Sequence, residues 1–422
     1  MQILFDISRL MHRGLDRTPT GIDRVDLAYA AHLGNNACDI SYCYSTSRPR
    51  ILRPAEAAIF ARRPALQIDT PIDRNEPHFE ELCALLAKPP KAWGKAAGAV
   101  RLAGKAPRQS TFAALLSDAF KHKPRGRSLP PDLNGTIYLH TSHSGLEKPG
   151  VLEEIKMRGG RVAVMVHDLI PLDYPEYCRP HSAEQHQHRL LSIQKRADLI
   201  LANSSYTLRR LEAWAQANGL TLPPARVVPL GVFPRYLSRA GLRPPTGARD
   251  YFVMAGTISA RKNHAFMLTI WRRLAEQLGE KCPVLVIAGR RGWEMEAAAD
   301  LMDRCPALAG HVVEVSQLDD FSLASLMAGA QAVLQPSLVE GFSLPVAEAQ
   351  SLGVPVIASD IDVHREIAAP GTVLVDPLDG PEWLSLIKAR VGGHGSQVRH
   401  SWRALDQRDH VASAVEAMRC LQ

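Results

Sequence analysis

Long hydrophobic runs are missing from this chain. None of its 422 residues fall in an apolar stretch of the roughly 18 that a bilayer-spanning helix needs. Cysteine is sparse: seven residues, at 38, 43, 83, 178, 282, 305 and 420, odd in number and nowhere spaced C-x-x-C. That pattern argues against a disulfide framework or a structural zinc site and leads us to expect a reducing, cytoplasmic setting. No G-x-G-x-x-G follows the first strand-like segment, and no G-x-x-x-x-G-K-[ST] occurs. Dinucleotide oxidoreductases and P-loop nucleotidases are thereby disfavoured. H-E-x-x-H and G-x-S-x-G are also absent, which removes the best-known metalloprotease and hydrolase signatures. The opening run Met1–Phe5 is broken by Asp6 and Arg9, so it reads as a strand and a poor secretory signal.

Composition is that of a globular protein, 46% hydrophobic and 22% charged, and the length suggests two domains. Charge is uneven. Between Lys88 and Arg127 lie ten Lys and Arg against a single acid, Asp118, so this segment alone exceeds the formal +7 of the whole chain. Only Trp93, Phe112 and Phe120 are interleaved there, too few aromatics for a base-stacking surface, and no nucleic-acid partner is expected. Trp93, Ala96, Ala97 and Val100 would share one face of a helix beside Lys91 and Lys95. Such a stretch suits an anionic membrane surface; a solvated loop is the plainer alternative.

Short apolar runs alternate with helical stretches along most of the chain, which predicts α/β layers with parallel sheets. Strands are expected at Gln2–Phe5, Thr136–His140, Arg161–Val166 and Leu199–Ala202, and a second series starts at Tyr251–Ala255. Between the series, residues 233–249 are rich in Pro and Gly without periodicity and read as a linker. The expected organisation is an N-terminal domain over 1–232 carrying the basic insertion 88–127, a C-terminal domain over 250–400, and a final helix within 401–422. Ligands of doubly wound sheets bind beyond the carboxyl ends of the strands, so chemistry is sought there.

Four places stand out. In Gln335-Pro-Ser-Leu-Val-Glu340-Gly341-Phe342-Ser343-Leu344-Pro345-Val-Ala-Glu348 a strand ends, a turn follows and a helix opens at a proline. Free N–H groups of such a turn can hold a diphosphate, and Glu340 and Glu348 can accept hydrogen bonds from sugar hydroxyls on either side. A capped helix with an acidic start is the alternative. In Gly256-Thr257-Ile258-Ser259-Ala260-Arg261-Lys262-Asn263 the glycine permits close backbone approach, and Arg261 and Lys262 supply fixed positive charge near a helix start. His167, after the strand Arg161–Val166, can contact a ligand in a cleft or be structural. Thr20-Gly21, at another helix start, either approaches a ligand or simply caps the helix. Asp360-Ile361-Asp362 matches the D-x-D of metal-bound nucleotide sugars, but a chain this long is expected to hold one such triplet by chance.

Together these motifs resemble the retaining glycosyltransferases of family 4, also called glycosyl transferases group 1. The resemblance is strongest from Tyr251 to Pro377 and rests on E-x7-E at Glu340 and Glu348, on Gly353-Val-Pro-Val-Ile-Ala-Ser-Asp360, and on His364-Arg-Glu366-Ile. His167-Asp168 before Leu-Ile-Pro is similar to the bacterial members that build surface polysaccharides. The resemblance implies a GT-B fold of two facing Rossmann-like domains with a last helix crossing back. It implies that Glu348 binds ribose, Glu340 the transferred sugar, Arg261 and Lys262 the diphosphate, and that His167 lies near the reacting carbon. Gly256, Gly341, Phe342, Ser343, Leu344 and Gly21 would line the donor site. No metal and no cofactor are expected, only a nucleoside diphosphate sugar as donor and a glycan or lipid-linked acceptor; mannose or a deoxyhexose on GDP is the expected donor. A non-catalytic nucleotide-sugar-binding protein, or a sugar synthase or phosphorylase, fits the same fold. Ser343 departs from the usual Gly, Thr257 stands where many members carry Arg, and the Gly-rich loop is reduced to Thr-Pro-Thr-Gly.

Overall fold

The computed structural model describes residues 1–13, 19–36, 38–45, 48–61, 76–93, 97–102, 126–148, 150–392 and 404–422. Two sheets organise it. The first has eight strands: β1 (Gln2–Asp6), β2 (Asp39–Ser45), β3 (Pro49–Ile51), β5 (Arg127–Ser128), β6 (Thr136–His140), β7 (Arg161–Val166), β8 (Leu199–Ala202) and β9 (Ala225–Val227), in the order β5-β3-β2-β1-β6-β7-β8-β9. The second has seven: β4 (Val100–Leu102), β10 (Tyr251–Ala255), β11 (Val284–Ala288), β12 (Val312–Val315), β13 (Ala332–Gln335), β14 (Val356–Ser359) and β15 (Val373–Val375), in the order β15-β14-β13-β10-β11-β12-β4. Every pairing in the second sheet is parallel, whereas β3 runs antiparallel to both its neighbours in the first.

The central strands are near-continuous apolar runs because helices cover both faces of a parallel sheet. All five residues of β10 and of β11 are buried. The described helices are α1 (Ser8–Arg13), α2 (Gly21–His32), α3 (Pro54–Ala61), α4 (Pro77–Leu86), α5 (Gly150–Met157), α6 (Ile170–Asp173), α7 (Ser182–Arg196), α8 (Ser205–Ala217), α9 (His264–Leu278), α10 (Glu296–Arg304), α11 (Asp320–Ala328), α12 (Leu344–Ser351), α13 (Asp362–Ile367), α14 (Gly380–Lys388) and α15 (Gln407–Met418). In α9 the buried residues Met267, Leu268, Trp271 and Leu274 recur at helical spacing and form the stripe facing the sheet. The helix stops at Gly279, whose φ of 55° a side chain would disfavour.

The chain crosses between the two sheets more often than composition suggests. The stretch 233–249, read as a linker, is packed: Tyr236 is fully buried, and the Arg249 amide donates to the Leu86 carbonyl at 3.0 Å. Helix α15 returns to lie on α2, with the His410 ring edge-on to Tyr29 at 5.3 Å between centroids. Its entry passes so close to Gly231 that a Cβ there would stand 2.2 Å from the Asp406 carbonyl oxygen.

A third crossing corrects the reading of the basic segment. Residues 90–93 form a short 3-10 turn, and Val100 sits in β4, paired with Val313 at the edge of the second sheet. The proposed helical face of Trp93, Ala97 and Val100 therefore does not form. Trp93 is buried instead, with the Arg249 guanidinium 5.2 Å from its ring centroid. Ala96, Lys95 and residues 103–125, which carry most of the positive charge, lie outside the described residues.

Candidate active site

The cleft between the sheets encloses about 1290 Å³, its open mouth included. All the residues singled out above, Gly21, His167, Gly256, Arg261, Lys262, Glu340, Gly341, Phe342, Ser343, Leu344 and Glu348, line it. Strand ends deliver them. Gly256 follows β10, His167 follows β7, and the Glu340 turn links β13 to α12.

Glu340 is the centre of charge. Its Oε2 accepts from Arg261 at 2.5 Å, and its Oε1 pairs with Lys262 and accepts from Ser337 Oγ at 2.7 Å and Gln335 Nε2 at 3.2 Å. Burial by itself would raise this carboxyl, but Arg261 and Lys262 outweigh it and hold Glu340 well below the usual carboxylate range. Burial lowers Lys262, with Glu340 pulling the other way. Lys262 is 7% exposed, Glu340 4% and Glu348 1%, so these charges act in a medium far less screening than water. The geometry depends on a 3-10 turn, Ala260–Lys262, ended by Asn263 in the left-handed region at φ 58°. The Arg261 carbonyl accepts from the Leu338 amide at 2.8 Å, which ties the basic turn to the Glu340 loop. Gly256 is held at φ 120°, a conformation that would strain any side chain, whereas a Cβ there would make only ordinary contact with Lys262, 3.9 Å from its amine.

Glu348 lies on α12, one turn in. Its Oε1 pairs with Arg24, which reaches across from α2, also pairs with Asp320 and stands 5.2 Å from the Phe233 ring centroid. Among the described residues Oε2 of Glu348 has no hydrogen-bond partner, so one oxygen of a fixed carboxylate faces the cleft. Burial raises Glu348, with Arg24 opposing. The motif reading left Arg24 out, although it lies one turn on from Gly21 and thus on the same helix face.

The opening of α12 departs from a glycine-based turn. Ser343 is held at φ 83° and its side chain does not cap the helix; Pro345 has no N–H and the Val346 amide donates to the Ser343 carbonyl at 3.2 Å, so the helix itself offers a ligand little beyond the Leu344 amide. The Ser343 hydroxyl is buried without a hydrogen-bond partner. Gly341 serves packing between the domains: a Cβ would stand 2.2 Å from the His167 carbonyl oxygen, and its own carbonyl accepts from Ser204 Oγ at 2.8 Å. Gly21 has no such constraint, since a Cβ would make ordinary contact with Leu344 at 3.9 Å. Its helix start is closed by Asp23, which accepts from the Thr20 amide at 2.8 Å and from Arg9 at 2.6 Å.

His167 is buried, and its Nε2 meets the Thr141 carbonyl at 2.7 Å. A carbonyl only accepts, so Nε2 carries the proton and Nδ1 is the acceptor. Burial holds the imidazole neutral by lowering it. The His143 ring lies 5.1 Å from His167 and 5.3 Å from His186, a neutral histidine wall that the sequence reading missed. Asp360 and Asp362 are surface residues, and Arg365 binds Asp360 at 2.5 and 2.9 Å. No group of three or more metal-ligating side chains occurs among the described residues.

The fold defines a class: two facing parallel-sheet domains with a crossing-back helix, the GT-B arrangement. The crystal structure of Anabaena HepE in complex with UDP and glucose overlays with a TM-score of 0.59, covering 99% of each chain at 14% identity. Residues 243–387 match the family model of glycosyl transferases group 1. Among curated proteins, the serotype-specific mannosyltransferase WbdA of Escherichia coli is 27% identical over 241 residues, 54% of this chain and 29% of that one. O-antigen chain mannosyltransferase B of Escherichia coli is 33% identical over 131 residues, 31% of this chain and 34% of that one. The matched region thus spans about a third of the length of these relatives.

Proposed function

We propose that this chain is a glycosyltransferase of surface-glycan synthesis. It moves a hexose from a nucleoside diphosphate sugar to an acceptor hydroxyl with retention of the α configuration. The observation that carries this reading is the convergence of Arg261, Lys262, Glu340 and Glu348 on one cleft beside the start of α12. Glu348 accepts from the ribose through Oε2, the amides at 342–344 and the two cations take the diphosphate, and Glu340 faces the hexose. The bond from the anomeric carbon to the diphosphate oxygen breaks with its electron pair on the leaving group. The acceptor oxygen bonds the anomeric carbon on the same face, and its proton passes to the departing phosphate oxygen. Fixed cations stabilise that developing charge, so charge balance calls for no metal. Among the described cleft residues no nucleophile has a partnered base, which favours this front-face route over a covalent intermediate. GDP-mannose, or a GDP-linked deoxyhexose, is the proposed donor, supported by the names of the similar mannosyltransferases.

A thermal-shift screen of GDP, UDP, ADP and TDP reads the base, because a ligand of the folded state raises apparent stability. Transfer from the matching nucleotide sugar should then fall by about 100-fold or more in Lys262→Ala and in Glu340→Ala, and persist in EDTA. Unchanged transfer in both variants would sink the reading.

A further inference from the structure

Glu340 also lines a second, open pocket of about 970 Å³, its mouth included. Its other walls include Asp173, Tyr174, Tyr206, Arg210 and Asp362. Tyr174 and Tyr206 are half-buried, and neither phenol oxygen has a hydrogen-bond partner among the described residues. Both are held in place from behind. The Tyr174 ring stacks on Tyr177 at 5.9 Å, and the Ser205 and Tyr206 amides donate to Glu366 across the interface at 2.7 and 3.0 Å. Arg210 grips Asp173 with two bonds of 2.9 and 2.6 Å, which spends the guanidinium on that carboxylate.

We infer that this pocket is the acceptor subsite and that it takes an uncharged, hydroxyl-rich sugar terminus. The inference rests on the glycosyltransferase reading, because Glu340 marks where the transferred sugar sits. Aromatic faces with a few fixed polar groups suit a sugar ring, which is apolar on its C–H faces and polar at its rim. The lining carries three carboxylates, Asp173, Asp362 and Glu340, against the single guanidinium of Arg210. Asp173 is bound by Arg210, and Glu340 by Arg261 and Lys262, so the lining offers a phosphate or uronate no uncommitted cation, and any lipid phosphate of the acceptor lies outside this pocket. Burial pushes the Tyr206 phenol up to about 12, so it remains a neutral donor at working pH.

The test uses saturation-transfer NMR on the full chain with α-linked mannotetraose and mannose 1-phosphate as probes, beside the GDP, UDP, ADP and TDP thermal shifts. The tetraose should give a signal that drops at least fivefold in the double variant Tyr174→Phe/Tyr206→Phe, with nucleotide shifts unchanged. Mannose 1-phosphate should bind at least fivefold more weakly than the tetraose and gain in Asp362→Lys. An absent tetraose signal, one unchanged in the double variant, or stronger binding of the phosphate would overturn the inference. Loss of every nucleotide shift in the unaltered chain would instead strike the donor reading, and the glycan signals would still decide the pocket.

Discussion

The two walls of the cleft handle ionisable groups in opposite ways. The C-terminal wall keeps its groups charged by pairing them: Arg261 and Lys262 with Glu340, and Glu348 with an arginine borrowed from the other domain. On the N-terminal side, His167 and a layer of groups that do not line the cleft are kept neutral by drying. Burial lowers His140, His143, His167 and His186, and it pushes the Asp26 carboxyl up to about 8. The contrast teaches a division of labour. A site for a diphosphate needs charge fixed in advance, whereas a wall beside the sugar must not attract ions or compete for the phosphates.

Arg24 is where the walls meet, and removing it should have the largest effect on the contrast. Arg24→Ala leaves the buried Glu348 without its cation, and we expect a loss of about 3 kcal/mol in a denaturant titration. Glu348 should then rise further, so that nucleotide affinity weakens and improves with increasing pH. An affinity independent of pH in this variant would mean that Glu348 is not the group being stabilised.

Asp26 tests the neutral layer. Its carboxyl is 1% exposed and accepts from Thr141 Oγ1 at 2.6 Å. A folded-state value of about 8 against an ordinary 3.8 means that the folded protein binds the proton more tightly than the unfolded chain. Its contribution is present below the ordinary value and is lost as pH rises through about 8, on the order of a few kcal/mol. Asp26→Asn should flatten the stability profile between those limits, and urea titrations at pH 5 and 8 would show it; an unchanged slope would contradict a protonated Asp26. His410, lowered by burial to about 4, opposes this from the acid side, losing its contribution as pH falls from the ordinary histidine range.

The smallest effect is expected at Ser343. Glycine there relieves a left-handed backbone and removes a buried hydroxyl without a partner, so Ser343→Gly should raise stability by up to about 1 kcal/mol. A scanning-calorimetry midpoint below that of the unaltered chain would show that the hydroxyl has a stabilising role.

Legibility differed between the halves for physical reasons. Strand β10 matches the expected Tyr251–Ala255, because a strand buried on both faces must be an unbroken apolar run. Strand β4, three residues long with Arg101 in its centre, carries no such signal and was hidden in the basic stretch. Helix α5 begins only at Gly150, because 144–147 form a turn. At the site, Glu340, Glu348 and Lys262 could be read from their place between strand and helix. Arg24, His143, Ser337 and the tyrosines of the second pocket could not, since each acts through partners distant in sequence.

Local sequence therefore determined the two α/β series, the strand-to-helix turns that face the cleft, and the kinds of side chain placed there. Tertiary structure alone decided which carboxylate each cation meets, that Arg24 reaches Glu348 from the opposite domain, and that Gly341 is needed for close approach of the His167 backbone. Periodicity and turn chemistry are short-range properties written in neighbouring residues. Pairing and burial depend on which surfaces the fold presses together, and those surfaces meet only after the chain has crossed between its two sheets.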